Sequence, residues 1–251
     1  MRFDILTLFP DMMRAVLSES IIGRAEKSGI LEINYIQIRD FANNKHNSVD
    51  DYPYGGGPGM VMQAMPIYDA YMSLIKDAKT KPHTIYMSPQ GKLFNQQKAI
   101  SLSQKDHVVI LCGHYEGVDE RVLEEIVDEE ISTGDYVLTG GEIPAMTLID
   151  AVARMIPGVL SSDASFEEES IYSGLLEHPQ YTRPPEFMGR QVPEVLLSGH
   201  HVNIEKWKRK ESLKRTFLKR PELLKKAELT DKDRMILAEI KAELEEENDE
   251  T

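Results

Sequence analysis

The chain has 251 residues, of which 41% are hydrophobic and 28% charged, with one cysteine, Cys112, and a formal net charge of −13. This composition is typical of a globular protein with one large or two small domains, and a single cysteine excludes a disulfide framework or a cysteine-based zinc site. No apolar run approaches the roughly 18 residues of a membrane span, and the N-terminus does not have the pattern of a signal peptide, so we expect a cytoplasmic protein with no membrane partner.

The first 160 residues alternate between strand-like and helix-like stretches. In chain order, the pattern predicts a strand over residues 2–8, a helix over 10–20, a strand over 31–38, a loop over 40–59, a helix over 66–76, a strand over 84–87, a helix over 95–103, a strand over 107–112, a helix over 119–127, a short extended segment at 137–138 and a helix over 143–156. Such alternation indicates an α/β domain with a largely parallel sheet that is covered on both faces.

A polar, acidic stretch interrupts this pattern at residues 161–170, which we interpret as a mobile linker. We therefore expect a domain over 1–160 and a small, mostly helical domain over 171–251. In the second domain, 178–186 is rich in proline, Asn203 is expected to cap a helix over 204–219, another helix follows Thr230, and the tail after Glu243 is expected to fray.

Charge is divided unevenly between two consecutive segments of the second domain. Residues 201–226 contain ten Lys or Arg and three Glu, whereas residues 227–251 contain three Lys or Arg and ten Asp or Glu. Lys and Arg provide affinity for nucleic acid that does not depend on sequence. A charged run is more often a solvated helix face, but Trp207 and Phe217 within this run favour RNA binding.

Glycine-bearing turns over residues 86–91, 112–117 and 132–142 each follow or join an apolar stretch. Ligands of open α/β sheets bind beyond the carboxyl ends of the strands, where glycine lets the backbone approach closely. One such turn is usually structural, but three together favour a ligand site. They contain neither a dinucleotide-binding nor a phosphate-loop motif, and their tyrosines and carboxylates suit a positively charged nucleoside.

Several longer strings make this interpretation specific. They are Tyr-Gly-Gly-Gly-Pro-Gly-Met at 54–60, Cys-Gly-His-Tyr-Glu-Gly-Val-Asp-Glu-Arg at 112–121, Gly-Asp-Tyr-Val-Leu-Thr-Gly-Gly-Glu at 134–142, Gly-Leu-Leu-Glu-His-Pro-Gln-Tyr-Thr-Arg-Pro at 174–184 and Val-Leu-Leu-Ser-Gly-His-His at 195–201. From Met1 to about Leu237, the chain resembles the bacterial tRNA (guanine-N1)-methyltransferase family of the SPOUT superfamily. The resemblance implies transfer of a methyl group from S-adenosyl-L-methionine to the N1 atom of guanine 37, beside the anticodon of tRNA.

The resemblance also implies a fold and an assembly. The parallel sheet would end in a deep C-terminal trefoil knot, a rare exception to normal chain topology. The knot would form the cofactor site, and a homodimer would build each active site from both chains. The implied cofactor contacts are Tyr86, Ser88, Pro89, Gly113, Tyr115, Glu116, Ser132, Thr133, Gly134, Asp135, Tyr136, Val137, Leu138, Gly140 and Gly141. Thr133 departs from the aliphatic residue expected there.

The catalytic and RNA-binding residues are likewise carried over from the family. Guanine N1 carries a proton that a general base must remove, while a cation stabilises the negative charge that builds on O6. The base maps onto Glu169, where the family has Asp, and the cation onto Arg154; without the resemblance, these would be a solvated acid and a surface salt bridge. The expected RNA contacts are His46, Gly57, Gly59, Ser170, Lys208, Arg209, Lys210 and Arg215.

Two other functions stay open from the sequence: an enzyme of the same fold that acts on another RNA, such as ribosomal RNA, and an RNA-binding protein without catalysis. The sequence also leaves open whether Mg²⁺ assists the reaction. We expect no resident metal site, because the neighbouring residues His200 and His201 would point in different directions.

Overall fold

The computed structural model describes residues 1–76, 80–160, 171 and 174–249. The chain divides into two compact units, Met1–Asp163 and Ala164–Thr251. The expected linker over 161–170, with Glu169 and Ser170, lies outside the described residues. Within the part of the chain that the structure describes, no helix is long and apolar enough to cross a membrane.

The first unit is an α/β structure around a five-stranded sheet in which every pair of neighbouring strands is parallel. The strands lie in the order β2-β1-β6-β5-β7. A separate antiparallel pair, β3 and β4, has two residues in each strand. The strands are β1 (Arg2–Thr7), β2 (Glu32–Gln37), β3 (Asp50–Asp51), β4 (Val61–Met62), β5 (His83–Leu93), β6 (His107–Cys112) and β7 (Glu129–Ser132).

Helices cover both faces of the sheet, because its central strands are apolar on both sides. The helices are α1 (Pro10–Leu17), α2 (Ser20–Lys27), α3 (Ala64–Ile75), α4 (Gln96–Ser103), α5 (Glu120–Ile126) and α6 (Glu142–Ala153), with a 3₁₀ turn at Ile38–Phe41. One core includes Phe3, Ile110 and Leu148, and the other includes Leu6, Ile67 and Leu111. Adjacent residues of β6 therefore point into opposite cores.

Local sequence accounts for where several of these elements begin. Pro10 occupies the first turn of α1, where its missing N–H is not needed. Asn95 caps α4, and its side-chain oxygen accepts a hydrogen bond of 3.0 Å from the N–H of Lys98. Asp119 caps α5 in the same way through the N–H of Arg121.

Four sequence predictions for this unit were wrong in detail. The first helix ends at Leu17, and α2 was not predicted. The predicted strand over 84–87 runs on to Leu93 through a shift in its pairing with β7 after Met87. β7 was missed because it begins with two acids; it is an edge strand, so Glu129 can pair with His83 and Lys98.

The second unit is mostly helical. It contains a two-stranded hairpin and a small core of Leu175, Leu213, Leu237 and Ile240. Its elements are β8 (Glu186–Phe187), β9 (Arg190–Gln191), α7 (Glu194–Leu197), α8 (His201–Lys219), α9 (Pro221–Leu224) and α10 (Asp231–Asp249). The helices α8 and α10 pack against each other and supply most of this core.

Two boundaries in this unit also differ from prediction. Asn203 does not cap the basic helix, because α8 starts at His201 and the His200 carbonyl accepts hydrogen bonds from the N–H groups of Asn203 and Ile204 at 2.9 and 3.0 Å. Helix α10 continues past Glu243 to Asp249, beyond the point after which the tail was expected to fray. The apolar residue Leu244 still packs against the core at that point.

Candidate functional site

A cavity of about 370 Å³ lies in the first unit, where β6 and β7 end and where β5 shifts its pairing after Met87. Residues of all three glycine-bearing segments form its wall, since β5 lies between β6 and β7 in the sheet. The turn predicted at 86–91 is wrong, because these residues belong to β5. This is the edge of a parallel sheet at which ligands of α/β proteins bind.

All the cofactor contacts expected from the resemblance line this cavity except Asp135. Sequence reasoning missed other lining residues. Some of them, such as His114 and Glu120, stand inside the strings that carried the resemblance and could have been included. Glu130 gave no such signal, since it belongs to the unpredicted β7. The missed lining residues are Met87, Gln90, His114, Gly117, Val118, Glu120, Leu123, Glu130, Ile131, Thr139 and Pro144.

Two of the turns are joined through their backbones. The N–H of Gly141 donates to the carbonyl of Gly113 at 2.8 Å, and Gly140 pairs with His114 in an antiparallel bridge. A Cβ at Gly141 would lie 2.8 Å from the Cα of Cys112. Because backbone meets backbone here, only glycine allows this approach, and the loop before α6 closes directly onto the end of β6.

Aromatic rings form a second part of the wall. Burial, followed by the nearby charges of Glu130 and Glu120, raises the pKa of Tyr86 to about 12, so its phenol stays protonated and can donate a hydrogen bond. Tyr115 adopts a positive φ of 60° and is partly exposed; its hydroxyl accepts a hydrogen bond from Arg39 at 3.3 Å. The cavity therefore offers flat apolar surfaces with polar edges, which suit a purine.

The charge of the cavity is one-sided. Among the described residues, its lining includes Glu116, Glu120 and Glu130 but neither Lys nor Arg. A phosphate-bearing ligand would need cations or a phosphate loop, and the lining contains neither. A ligand with a positive charge suits this wall better.

The glycine-rich loop over 54–59 is attached to the same site. Glu116 donates its N–H to the carbonyl of Met60 at 3.0 Å, and a Cβ on Gly59 would overlap the side chain of Glu116. Gly57 and Gly59 both have positive φ, of 129° and 84°. Of the expected RNA contacts, Gly59 lies beside the cavity-lining residue Glu116, Gly57 is exposed, and His46 is exposed in the loop that precedes β3.

The expected catalytic cation, Arg154, does not line the cavity of its own chain. It directly follows the last residue of α6, whereas the first residue of that helix, Glu142, follows the cavity wall. Twelve residues of helix separate these positions by about 18 Å. The structure of one chain therefore does not bring Arg154 to the cavity, and the expected base, Glu169, lies outside the described residues.

The basic residues expected to bind RNA already pair with groups of the second unit. The Arg209 guanidinium binds both oxygens of Asp233 at 2.8 Å, and Lys208 and Lys210 form ion pairs with Glu205 and Glu243 at 2.9 and 2.7 Å. Arg215 donates to the carbonyl of Glu177 at 3.4 Å. Much of the positive charge of α8 is thus balanced inside this unit.

The Arg209–Asp233 pair is the most buried of these contacts. The Asp233 carboxylate also accepts hydrogen bonds from the N–H and hydroxyl of Thr230, at 2.9 and 2.8 Å, and thereby caps α10. The pairing with Arg209 holds the pKa of Asp233 well below its usual range. Arg209 is therefore a structural residue of this unit, whatever else it contacts.

Comparison with known proteins agrees with these features. The model of the tRNA (Guanine-1)-methyltransferase TrmD family matches residues 1–226. A tRNA (guanine-N(1)-)-methyltransferase of Ruminiclostridium cellulolyticum is 60% identical over 90% of this chain and 97% of its own length. The corresponding proteins of Alkaliphilus oremlandii and Bacillus cereus are 58% and 51% identical, each over 96% of this chain and 99% of their own. The chain belongs to the tRNA (guanine-1)-methyltransferase family.

Proposed function

We propose that this protein transfers a methyl group from S-adenosyl-L-methionine to N1 of guanine 37 in tRNA, next to the anticodon. The observation that carries the proposal is the cavity beside β5 at the ends of β6 and β7, which is lined by nearly every cofactor contact expected from the family. Family membership and the names of the relatives point to the same reaction.

The residues of the cavity fit the methyl donor. Its lining combines aromatic rings, backbone groups at glycines and carboxylates, and among the described residues contributes no Lys or Arg. The donor supplies a methyl group on a positively charged sulfur together with an adenosine. Tyr86, Tyr115 and the glycine backbone would hold the adenosine, and the carboxylates favour a cation over a phosphate.

The chain must then handle the proton and the charge of the guanine. Glu169 takes the proton from N1, so that the nitrogen lone pair becomes available. The bond between N1 and the methyl carbon forms while the bond from that carbon to sulfur breaks, and the product is a neutral thioether. Arg154 stabilises the negative charge on O6 during this transfer.

A homodimer explains how Arg154 reaches the reaction. Arg154 directly follows α6, at about 15 Å from Pro144, the residue of that helix that lines the cavity of its own chain. Large apolar side chains are exposed on α1 and near the cavity, and α1 packs against α6. A second copy of the chain would bury this surface and could complete each site. The exposed side chains are Phe9, Met12, Val16, Val137, Leu138 and Ile143.

The trefoil knot belongs to the same proposal. What supports it is the path of the chain after β7: the loop from Thr133 returns across the sheet to the end of β6, where Gly140 and Gly141 bond to His114 and Gly113.

In the second unit, the remaining charge of α8 and the aromatic rings of Trp207 and Tyr181, whose centroids are 6.3 Å apart, would bind tRNA.

A direct test is methylation of an unmodified tRNA transcript with labelled donor, followed by mapping of the modified base. We expect label at N1 of guanine 37 and none in a transcript with adenine at that position. Parallel reactions with Mg²⁺ and with EDTA determine whether the metal assists. Methylation of ribosomal RNA in preference to tRNA would contradict the proposal, and donor binding without any methylation would favour an RNA-binding protein.

The base is tested by replacing single glutamates. Glu169→Gln should lose about 10²–10⁴-fold in rate, as removal of a general base does, while donor and tRNA binding change little. Glu168→Gln is the matched control and should lose far less, and Glu169→Asp should keep much of the activity. If Glu168→Gln is the inactive variant, the assignment is wrong by one residue.

A further inference from the structure

A carboxylate is buried directly behind the wall of the cavity. Glu142 is only 3% exposed, and it begins α6 immediately after Gly140 and Gly141, which line the cavity. Its Oε2 atom lies 2.5 Å from the place that a Cβ at Gly140 would occupy. Because position 140 has no side chain, the carboxylate can approach the backbone of the wall.

The hydrogen bonds of Glu142 fix its orientation. The hydroxyl of Thr7, at the end of β1, donates to Oε1 at 2.8 Å and accepts a hydrogen bond from the N–H of Phe9 at 2.9 Å. The Thr7 hydroxyl has a single proton. Because its oxygen accepts the hydrogen bond from Phe9, that proton is free to be donated to Glu142. Thr7 is fully buried, which makes this link between β1 and α6 part of the interior.

The contacts orient the carboxylate but do not neutralise it. Thr7 is uncharged, and among the described residues no cationic side chain forms an ion pair with Glu142. Its position in the first turn of a twelve-residue helix favours a negative charge there. The field reaches the end of β6, since the Glu142 charge adds to burial in raising the pKa of the Cys112 thiol.

We infer that Glu142 is a specificity-determining residue, whose buried charge makes the cavity prefer the sulfonium methyl donor over the neutral thioether product. This inference rests on the proposed function. The lining carboxylates Glu116 and Glu120 are exposed, so water and salt screen them more strongly. Glu142 acts from a position that water does not reach.

Donor and product allow the charge to be isolated. They share the adenosine, the amino group and the carboxylate, and they differ in the methyl group and the positive charge on sulfur. Loss of a contact with a shared part weakens both ligands alike. Loss of a nearby negative charge weakens binding of the cationic donor more than binding of the neutral product. The ratio of the two dissociation constants therefore reports the charge, whereas a general structural disturbance leaves that ratio unchanged.

The experiment compares binding of S-adenosyl-L-methionine and its thioether product, S-adenosyl-L-homocysteine, by calorimetry. In Glu142→Gln the amide oxygen still accepts from Thr7, so the variant removes only the charge. We expect donor affinity to fall about tenfold relative to product affinity, the effect of roughly 1.4 kcal/mol of lost attraction. Thr7→Val, which removes the hydrogen bond but keeps the charge, should change the ratio much less.

Glu124→Gln is the matched control, since it removes an exposed charge from α5 and should leave the ratio unchanged. If Glu142→Gln does not fold, Thr7→Val combined with Glu142→Met replaces both partners by apolar groups of similar size, a change that buried pairs often tolerate. If the folded variant has the same ratio of donor to product dissociation constants as the unaltered protein, the inference is overturned. Failure of the unaltered protein to bind the donor would instead overturn the proposed function.

Discussion

Gly141→Ala tests whether the cavity wall depends on close contact between two backbone segments. An added Cβ would lie 2.8 Å from Cys112 Cα and 3.0 Å from Gly113 N. Both atoms belong to the backbone and cannot rotate away. The backbone angles of Gly141, φ −79° and ψ −6°, suit alanine, so any loss comes from crowding and not from backbone strain.

The magnitude follows from two opposing effects. Crowding in a well-packed interior costs about 1–3 kcal/mol, while replacing glycine by alanine gains about 0.4–1 kcal/mol by restricting the unfolded chain. We therefore expect a net loss of about 1–2 kcal/mol, which lowers the melting temperature by roughly 2–4 °C per kcal/mol in a domain of this size. Because the loop must retreat from β6, donor affinity should fall at least about tenfold, the equivalent of 1.4 kcal/mol.

Thermal denaturation and calorimetric titration of the donor measure the two effects on the same sample. Gly140→Ala is the matched comparison, because its Cβ would meet side-chain atoms of Glu142 and His114, at 2.5 and 2.6 Å, and no backbone atom. His114 can rotate away, and Glu142 can shift by weakening its hydrogen bond to Thr7. It should cost less stability than Gly141→Ala. A Gly141→Ala protein that melts and binds donor like the unaltered protein would refute the reasoning that backbone contact at this position shapes the site.

Three other substitutions address the second unit and the proposed catalytic cation, Arg154. Asp233→Asn should lower the stability of the second unit by about 2–3 kcal/mol in urea denaturation, less than for a fully buried pair because Arg209 is partly exposed. Since folding lowers the pKa of Asp233, its stabilising contribution is present above the unfolded pKa of about 3.9 and is lost as the pH falls further. If the variant is as sensitive to acid as the unaltered protein, this expectation is contradicted. Lys210→Glu should weaken tRNA binding and reduce the salt slope by roughly one, without affecting the donor, and an unchanged slope would mean that α8 is a solvated surface. Arg154→Ala should reduce methylation by roughly 10²-fold while donor affinity stays the same, and equal loss of both would place Arg154 in the donor site.

The sequence predicted the character of the first unit and the place of its ligand site. Short apolar strands separated by helices indicated a parallel sheet, which the structure confirms. The glycine turns at 112–117 and 132–142 were predicted to meet at one site because neighbouring parallel strands end at the same edge, and both line the cavity. Such features depend on residues close together in the chain.

Prediction failed where contacts distant in the chain decide the outcome. β7 could not be recognised from Glu129 and Glu130, because its acids are acceptable only at a sheet edge beside His83 and Lys98. The basic run on α8 favoured RNA binding, and the sequence did not indicate that α10 supplies Asp233 and Glu243 as ion-pair partners. To predict an ion pair, one must know where both charges lie in space, and their separation along the sequence does not give this.

From the sequence alone came the family, the alternation of strands and helices without α2 and β7, and fourteen of the residues that line the cavity. Only the tertiary structure showed that Thr7 and Glu142, 135 residues apart, meet in the interior behind the wall, and that Arg154 lies at the far end of α6 from the cavity of its own chain. The physical reason is that local propensity and motif spacing act over a few residues, while burial, charge compensation and distance from a site depend on how the whole chain packs.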